Sequence, residues 1–174
     1  MKLRIGGVLV GISLILSLDQ LAFAQTPAAA TFTRVNLSGA AFVCANQAVT
    51  GTCPNAEFDP LLGSIQNPQG TWAANVALPQ GAVVSKFLLC GNFNEVGSSI
   101  TATLYKTPLL AASGFASAVA MATVESTGAS NDTQCFETKT IAGPSINNVG
   151  FQYYVVVAVP DNDGVIFTTV GIEY

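Results

Sequence analysis

Short segments rich in β-branched and aromatic residues follow one another along this chain, with turn residues between them. Apolar and polar side chains alternate from Ile100 to Tyr105, which is the clearest example. A period of two residues predicts strands with one buried face, whereas no segment of ten or more residues keeps a helical period between a cap and a stop signal. The predicted strands are Thr31–Leu37, Ala41–Cys44, Thr71–Leu78, Val83–Cys90, Ser99–Lys106, Ala116–Glu125, Cys135–Ile141, Phe151–Val159 and Val165–Tyr174.

Strands separated by a turn about every ten residues predict an all-β antiparallel β-sandwich. Strand number and length favour a jelly roll over an immunoglobulin-like arrangement. Phe151–Val159 is β-branched or aromatic nearly throughout, which predicts a central strand buried on both faces. Ala45–Gly70 lacks strand character and is predicted to form one long loop, with one or two helical turns around Glu57–Leu62.

Residues 1–24 have the composition of a secretory signal peptide. Two basic residues precede the apolar run Ile5–Leu18, and Ala22-Phe23-Ala24 supplies the small-residue pattern that a signal peptidase accepts. A retained anchor helix is the alternative, but the apolar run is shorter than the roughly 20 residues that span a bilayer. The mature chain is therefore expected to begin near Gln25 and to form a single domain, 25–174.

All four cysteines lie beyond this leader, and export predicts that they form disulfides. Four cysteines allow three pairings. We favour Cys44–Cys53, which encloses a short turn-rich segment, together with Cys90–Cys135, which joins the end of one predicted strand to the start of another. A tetrahedral zinc site, the alternative, needs closely spaced cysteine pairs that the sequence lacks.

Charge is scarce in the expected mature chain. Without the leader, four basic and nine acidic residues remain, a net charge near −5. Four basic residues cannot neutralise a phosphate backbone, so nucleic acid is not an expected partner, and anionic lipid surfaces are disfavoured for the same reason. A polar surface made mainly of Thr, Ser, Asn and Gln suits neutral sugars or close contact with protein.

The chain contains no histidine. This excludes Ser-His-Asp and Cys-His hydrolases and the common zinc hydrolases, all of which need an imidazole. A pair of carboxylates acting as in glycosidases is the remaining enzymatic alternative. We therefore expect a protein that is not an enzyme.

A ligand site is predicted in and beside the long loop. Asn55, Glu57 and Asp59 offer amide and carboxylate groups, and Trp72 follows the loop. Sugar recognition needs an aromatic face for stacking and hydrogen-bonding groups for the hydroxyls. The competing interpretation places Trp72, the only tryptophan, in the core.

Asp161-Asn162-Asp163-Gly164 has two interpretations. Alternating Asp oxygens followed by Gly resemble the start of a calcium loop, with Asp161 and Asp163 as ligands. Asn, Asp and Gly also favour hairpin turns, because they tolerate positive φ, and the flanking segments are predicted strands. The turn is favoured, so no cofactor is expected and calcium is the alternative.

Four short stretches carry a resemblance to a known group: Leu78–Val84 ("LPQGAVV"), Ile100–Lys106 ("ITATLYK"), Phe151–Val157 ("FQYYVVV") and Val170–Tyr174 ("VGIEY"). Their order resembles that of uncharacterised bacterial exported β-sandwich proteins over about residues 75–174. The resemblance implies an extracytoplasmic sandwich, periplasmic, secreted or on the cell surface. It implies no activity and no functional residue.

Two functions from different classes follow from these observations. The first is a secreted or cell-surface, non-catalytic structural protein that assembles with itself or with other surface protein. The alternative is a carbohydrate-binding module that takes a polysaccharide at the aromatic and amide loop site, with or without calcium. No membrane-spanning segment is expected once the leader is removed.

Overall fold

The computed structural model describes residues 33–45, 53, 57–61, 63–66, 70–93, 99–109, 118–127, 130–159 and 165–174, all within the unit Phe32–Tyr174. The strands are β1 (Arg34–Ser38), β2 (Val43–Cys44), β3 (Glu57–Asp59), β4 (Ser64–Gln66), β5 (Gly70–Val76), β6 (Lys86–Phe93), β7 (Thr101–Pro108), β8 (Val119–Glu125), β9 (Ser130–Thr138), β10 (Phe151–Val159) and β11 (Val165–Glu173). One short 3-10 helix, Gly39–Ala41, joins β1 to β2. Among the described residues, no helix is long and apolar enough to cross a lipid bilayer.

The strands form two antiparallel sheets. The six-stranded sheet has the order β3-β4-β11-β6-β9, with β1 also paired to β11, and the five-stranded sheet has the order β2-β5-β10-β7-β8. From β4 onward, successive strands alternate between the sheets, except that β7 and β8 form a hairpin within one sheet. This order is that of a jelly roll, so the predicted all-β, jelly-roll-like sandwich is confirmed.

The core lies between the two sheets, where every second residue of the central strands points inward. Phe87 and Leu89 of β6 and Phe167 of β11 are fully buried in one sheet, and Val155 of β10 and Leu104 of β7 are fully buried in the other. Burial of such side chains is the main stabilising contribution, about 1.5 to 3 kcal/mol for each one. The alternation in the sequence therefore determines which face of each sheet is covered.

Both predicted disulfides are present. Cys90 and Cys135 stand directly opposite each other on the neighbouring strands β6 and β9. Cys44, at the end of β2, is bonded to Cys53, which precedes β3. The first bridge therefore lies within the six-stranded sheet, and the second fixes the start of the long connection between β2 and β5.

The helical turns predicted around Glu57–Leu62 are wrong in the part that the structure describes, because Glu57–Asp59 is a strand. Glu57–Asp59 pairs with Ser64–Gln66, which in turn pairs with β11. Gly63, at φ 60°, lies in the connection between the two strands, and the Asp59 carboxylate accepts a hydrogen bond from the Leu61 amide at 2.8 Å. The segment was predicted to lack strands because two three-residue strands are too short to show a period.

Strand β10 is central, as predicted, since it lies between β5 and β7. It is buried on one face only, however, so the prediction of burial on both faces is wrong. Tyr153, Val155, Val157 and Val159 are buried, whereas the residues between them are half-buried or exposed. The outward face of this strand, with its neighbours, forms the candidate site.

Candidate functional site

The outer face of the five-stranded sheet forms one continuous surface, because strand register aligns its outward residues in rows. One row crosses all five strands, from Val43 through Ala73, Val156 and Thr103 to Thr123. We call this surface the threonine–tyrosine face. Its residues are Val43, Thr71, Ala73, Asn75, Thr101, Thr103, Tyr105, Thr107, Ala120, Thr123, Glu125, Gln152, Tyr154, Val156 and Ala158.

Two side-chain pairs organise the middle of this face. Tyr105 and Tyr154 are opposite each other on β7 and β10, and their rings stack with centroids 5.4 Å apart and planes 18° apart. Thr103 and Thr123 are opposite each other on β7 and β8, with their hydroxyl oxygens 3.3 Å apart. Cross-strand pairs of these types stabilise antiparallel sheets, so the two pairs fix the positions of these side chains on the face.

A slot lies beside the tyrosine pair, along β5. Its volume is about 320 Å³, and it is lined by Ala41, Val43, Ala73, Ala74, Asn75 and Tyr154. The slot exists because β5 places small residues between the large Tyr154 on one side and Val43 on the other. Asn75, which is exposed, adds a polar amide beside the apolar side chains of Ala41, Val43 and Ala73.

Charge is segregated away from this face. Among its described residues, Glu125 alone is charged. Arg34, Lys86, Glu137 and Glu173 instead share the outer face of the six-stranded sheet, where Arg34 and Lys86 flank Glu173 across the strands. The two outer faces of the sandwich therefore differ in their described residues: one carries a single charged side chain, and the other carries these four.

The charged face contains a bridged ion network. The Lys86 ammonium lies 3.2 Å from a carboxylate oxygen of Glu137 and 3.2 Å from one of Glu173. Hydrogen bonds to Glu137 and then Glu173 raise the pKa of Lys86 above its usual value of 10.5. Lys139, whose side chain is 73% exposed, lies 4.0 Å from Glu137 and only borders the network.

This network predicts an alkaline loss of stability. Because the pKa of Lys86 is higher in the folded chain than in the unfolded chain, its contribution is complete below pH 10.5 and disappears as pH rises through the raised pKa. Above pH 10, the melting temperature of Lys86→Met is expected to fall less steeply with rising pH than that of the wild type. The control Lys139→Met should keep the wild-type slope, and an unchanged slope in Lys86→Met would contradict the assignment.

The structure places Trp72 and Asp59, two of the predicted ligand residues, apart from the threonine–tyrosine face. Trp72 is 8% exposed and belongs to the core cluster between the sheets, so its ring is packed against other side chains. Asp59 lies at the end of β3 and accepts hydrogen bonds from the Leu61 amide and, at 3.3 Å, from the Gln66 side chain. Glu57 belongs to β3, whereas Asn55 lies outside the described residues.

The predicted calcium ligands Asp161 and Asp163 also lie outside the described residues, as does the leader 1–24. Within the described part of the chain, no three acidic or cysteine side chains come together as a group that could hold a metal ion. The groups that the threonine–tyrosine face offers are hydroxyls, amides, aromatic rings and the Glu125 carboxylate.

The tyrosine pair is the feature that the sequence did not single out. The alternation in Ser99–Lys106 already places Thr101, Thr103 and Tyr105 on one side of a strand. Because Phe151–Val159 is β-branched or aromatic nearly throughout, its pattern did not show that Tyr154 points outward. Aligning the two strands in register would have brought the rings together.

The function proposed below rests on this geometry and not on a comparison with known proteins. No family model matches the sequence, and the search of curated proteins found no match.

Proposed function

We propose that the protein is an exported, non-catalytic structural component that associates with further copies of itself through the threonine–tyrosine face. The observation that carries this proposal is the segregation of charge between the two outer faces of the sandwich. The predicted leader and the two disulfides support export, since disulfides persist in oxidising compartments outside the cytoplasm.

Electrostatics favours this face for contact between copies. Among its described residues this face brings only Glu125 into the contact as a charged group, so few charges lose water there. The ion network of Lys86 lies on the far side of the sandwich, and the two sheets are about 10 Å apart. Because the Debye length at physiological ionic strength is about 8 Å, those charges are screened from a partner on the threonine–tyrosine face.

The size of the threonine–tyrosine face determines how strong the association between copies is expected to be. Its four long strands have seven to nine residues each, which gives a flat area of about 500 Å² from strand rise and spacing. Two such faces bury about 1,000 Å² together, near the lower limit for a specific interface. We expect weak, concentration-dependent association rather than a permanent dimer.

A second candidate function uses the same surface. Tyr154 beside Asn75 offers an aromatic ring and an amide, the pair of groups that recognises a neutral sugar. Titration with a soluble neutral glucan oligosaccharide, followed by the amide resonances of β5 and β10, distinguishes the candidates. Saturable shifts in a chain that stays monomeric would favour the carbohydrate-binding module over self-association.

The test adds the same charge to one outer face of the sandwich or to the other. In the variant Asn75→Lys/Ala158→Lys, both exposed positions lie on the threonine–tyrosine face, whereas Asn36→Lys/Thr133→Lys uses exposed positions on the six-stranded sheet. Both double variants change the net charge equally, so only the location differs. Like charges facing each other cost several kcal/mol, so the first variant should raise the dissociation constant at least about tenfold.

Sedimentation velocity of the mature chain between about 10 and 500 μM measures this association, a range that matches a small interface. The wild type and the Asn36→Lys/Thr133→Lys control should both associate. A wild type that is monomeric throughout this range, or a face variant that associates as well as the control, would overturn the proposal.

A further inference from the structure

The threonine–tyrosine face has a raised part and a recess side by side. The stacked rings of Tyr105 and Tyr154 form a ridge over β7 and β10, and the slot of about 320 Å³ lies next to it over β5. Tyr154 belongs to both features, because one face of its ring packs on Tyr105 while its side chain lines the slot. A surface with a ridge and a matching recess is complementary to its own copy after a two-fold rotation.

We propose that two copies associate about a two-fold axis that passes beside Tyr154, with the Tyr154 ring of each copy in the slot of the other. This inference rests on the proposed function and names its partner, a second copy of this chain, and its mode of contact. The slot has room for one phenol ring between Val43 and Tyr154, above Ala73.

In this arrangement the inserted ring has a stacking partner, an apolar surface to cover and a polar group for its hydroxyl. Each inserted ring stacks on the partner's Tyr154, and offset stacking is a preferred geometry for aromatic pairs. The apolar body of the ring covers Ala73 and Val43, the latter being 68% exposed in the single chain. The phenol hydroxyl, carried at the tip of the ring, lies within the same slot as the Asn75 amide, which supplies a polar partner.

A second copy fits this slot better than a sugar for a reason of shape. The rings of Tyr105 and Tyr154 stack on each other, with planes only 18° apart. They do not lie side by side along the sheet with both ring faces free. A polysaccharide would meet one free ring face, whereas a second copy uses the ridge and the slot at once. The small alanine floor of β5 is likewise explained by the need to admit a ring.

Cysteine cross-linking tests the position of the axis. Asn75→Cys keeps both tyrosines and places the two introduced thiols on either side of the axis, close to it. Facing sheets pack about 10 Å apart, a gap that a short bismaleimide spans and a disulfide does not. In the control Thr123→Cys, at an exposed position three strands away, the thiols are farther apart by roughly 20 Å from the strand spacing. The bismaleimide should link Asn75→Cys into a covalent dimer at least tenfold faster than Thr123→Cys.

Filling the slot gives an independent readout that keeps both tyrosines. Ala73→Trp places a large side chain in the recess and should raise the dissociation constant at least tenfold. Ala142→Trp makes the same change at an exposed alanine outside the threonine–tyrosine face, and should change the dissociation constant less than threefold. Circular dichroism checks that both variants keep the wild-type fold.

The outcomes separate this inference from the proposed function. Equal cross-linking of Asn75→Cys and Thr123→Cys, in a wild type that still dimerises, would overturn the two-fold contact at Tyr154 and leave self-association standing. Equal effects of Ala73→Trp and Ala142→Trp would overturn the contact in the same way. A wild type that never dimerises would overturn both proposals together.

Discussion

Replacing Trp72 with alanine is expected to lower the free energy of unfolding by about 3 to 5 kcal/mol, the usual cost of removing a large buried aromatic side chain. Trp72 is 8% exposed and belongs to the core cluster. It stands in an inward row between Cys44 on β2 and Val157 on β10. Its removal would therefore leave a cavity beneath the very strands that form the threonine–tyrosine face.

Tyr154→Ala is the matched control, because Tyr154 lies on a neighbouring strand of the same sheet but points outward and is half-buried. We expect its loss of stability to be about 1 kcal/mol, near the centre of the distribution for point mutants. Urea unfolding followed by circular dichroism measures both, since Trp72→Ala removes the only tryptophan. A stable Trp72→Ala variant that had lost sugar binding would instead support the ligand-binding interpretation of this residue.

The long strands could be predicted from sequence because each one carries its own pattern. Phe151–Val159 has the predicted bounds, and β5, β7, β8 and β11 differ from prediction by a few residues at either end. Alternation is a local property, and the jelly roll follows from fitting that many antiparallel strands into two sheets. The disulfide Cys90–Cys135 was predictable in the same way, since it joins two such strands.

The two three-residue strands β3 and β4 could not be predicted because nothing local distinguishes them. Glu57–Asp59 and Ser64–Gln66 have three residues each, and their pairing depends on β11, about 100 residues later in the chain. Pro60 and Gly63 lie in the connection between these two antiparallel strands, so the segment forms a hairpin and not helical turns. Tertiary pairing therefore decided the conformation where the local signal was weak.

The candidate site was not predicted because of the hydrophobic composition of its strands. The separation of those strands along the sequence was not the reason. Hydrophobic strands are taken as buried, yet Tyr154 and Val156 lie on the outer side of β10, where cross-strand contacts stabilise them. The scarcity of charge in the described part of that face, where Glu125 alone is charged, is a property of five strands together. No single segment of the sequence displays it, so it becomes visible only when the register is known.

Removing the Cys90–Cys135 bridge is expected to destabilise the chain by about 4 kcal/mol in the chain-entropy model, because the two residues are 45 positions apart. The backbone ladder between β6 and β9 pairs the same residues without the bridge, so Cys90→Ala/Cys135→Ala should keep the native sheet. The loss arises in the unfolded chain, which gains freedom. For a domain of this size the melting temperature should fall by roughly 8 to 16 °C.

The second bridge supplies an internal control for that explanation. Cys44 and Cys53 are only nine positions apart, so Cys44→Ala/Cys53→Ala should cost between about 2 and 3 kcal/mol by the same relation. Urea unfolding of both double variants under non-oxidising and non-reducing conditions gives the ranking directly. If the shorter loop proved the costlier one to open, the bridge at Cys44 would be stabilising the folded chain itself, and loop length would not explain the stability of this sandwich.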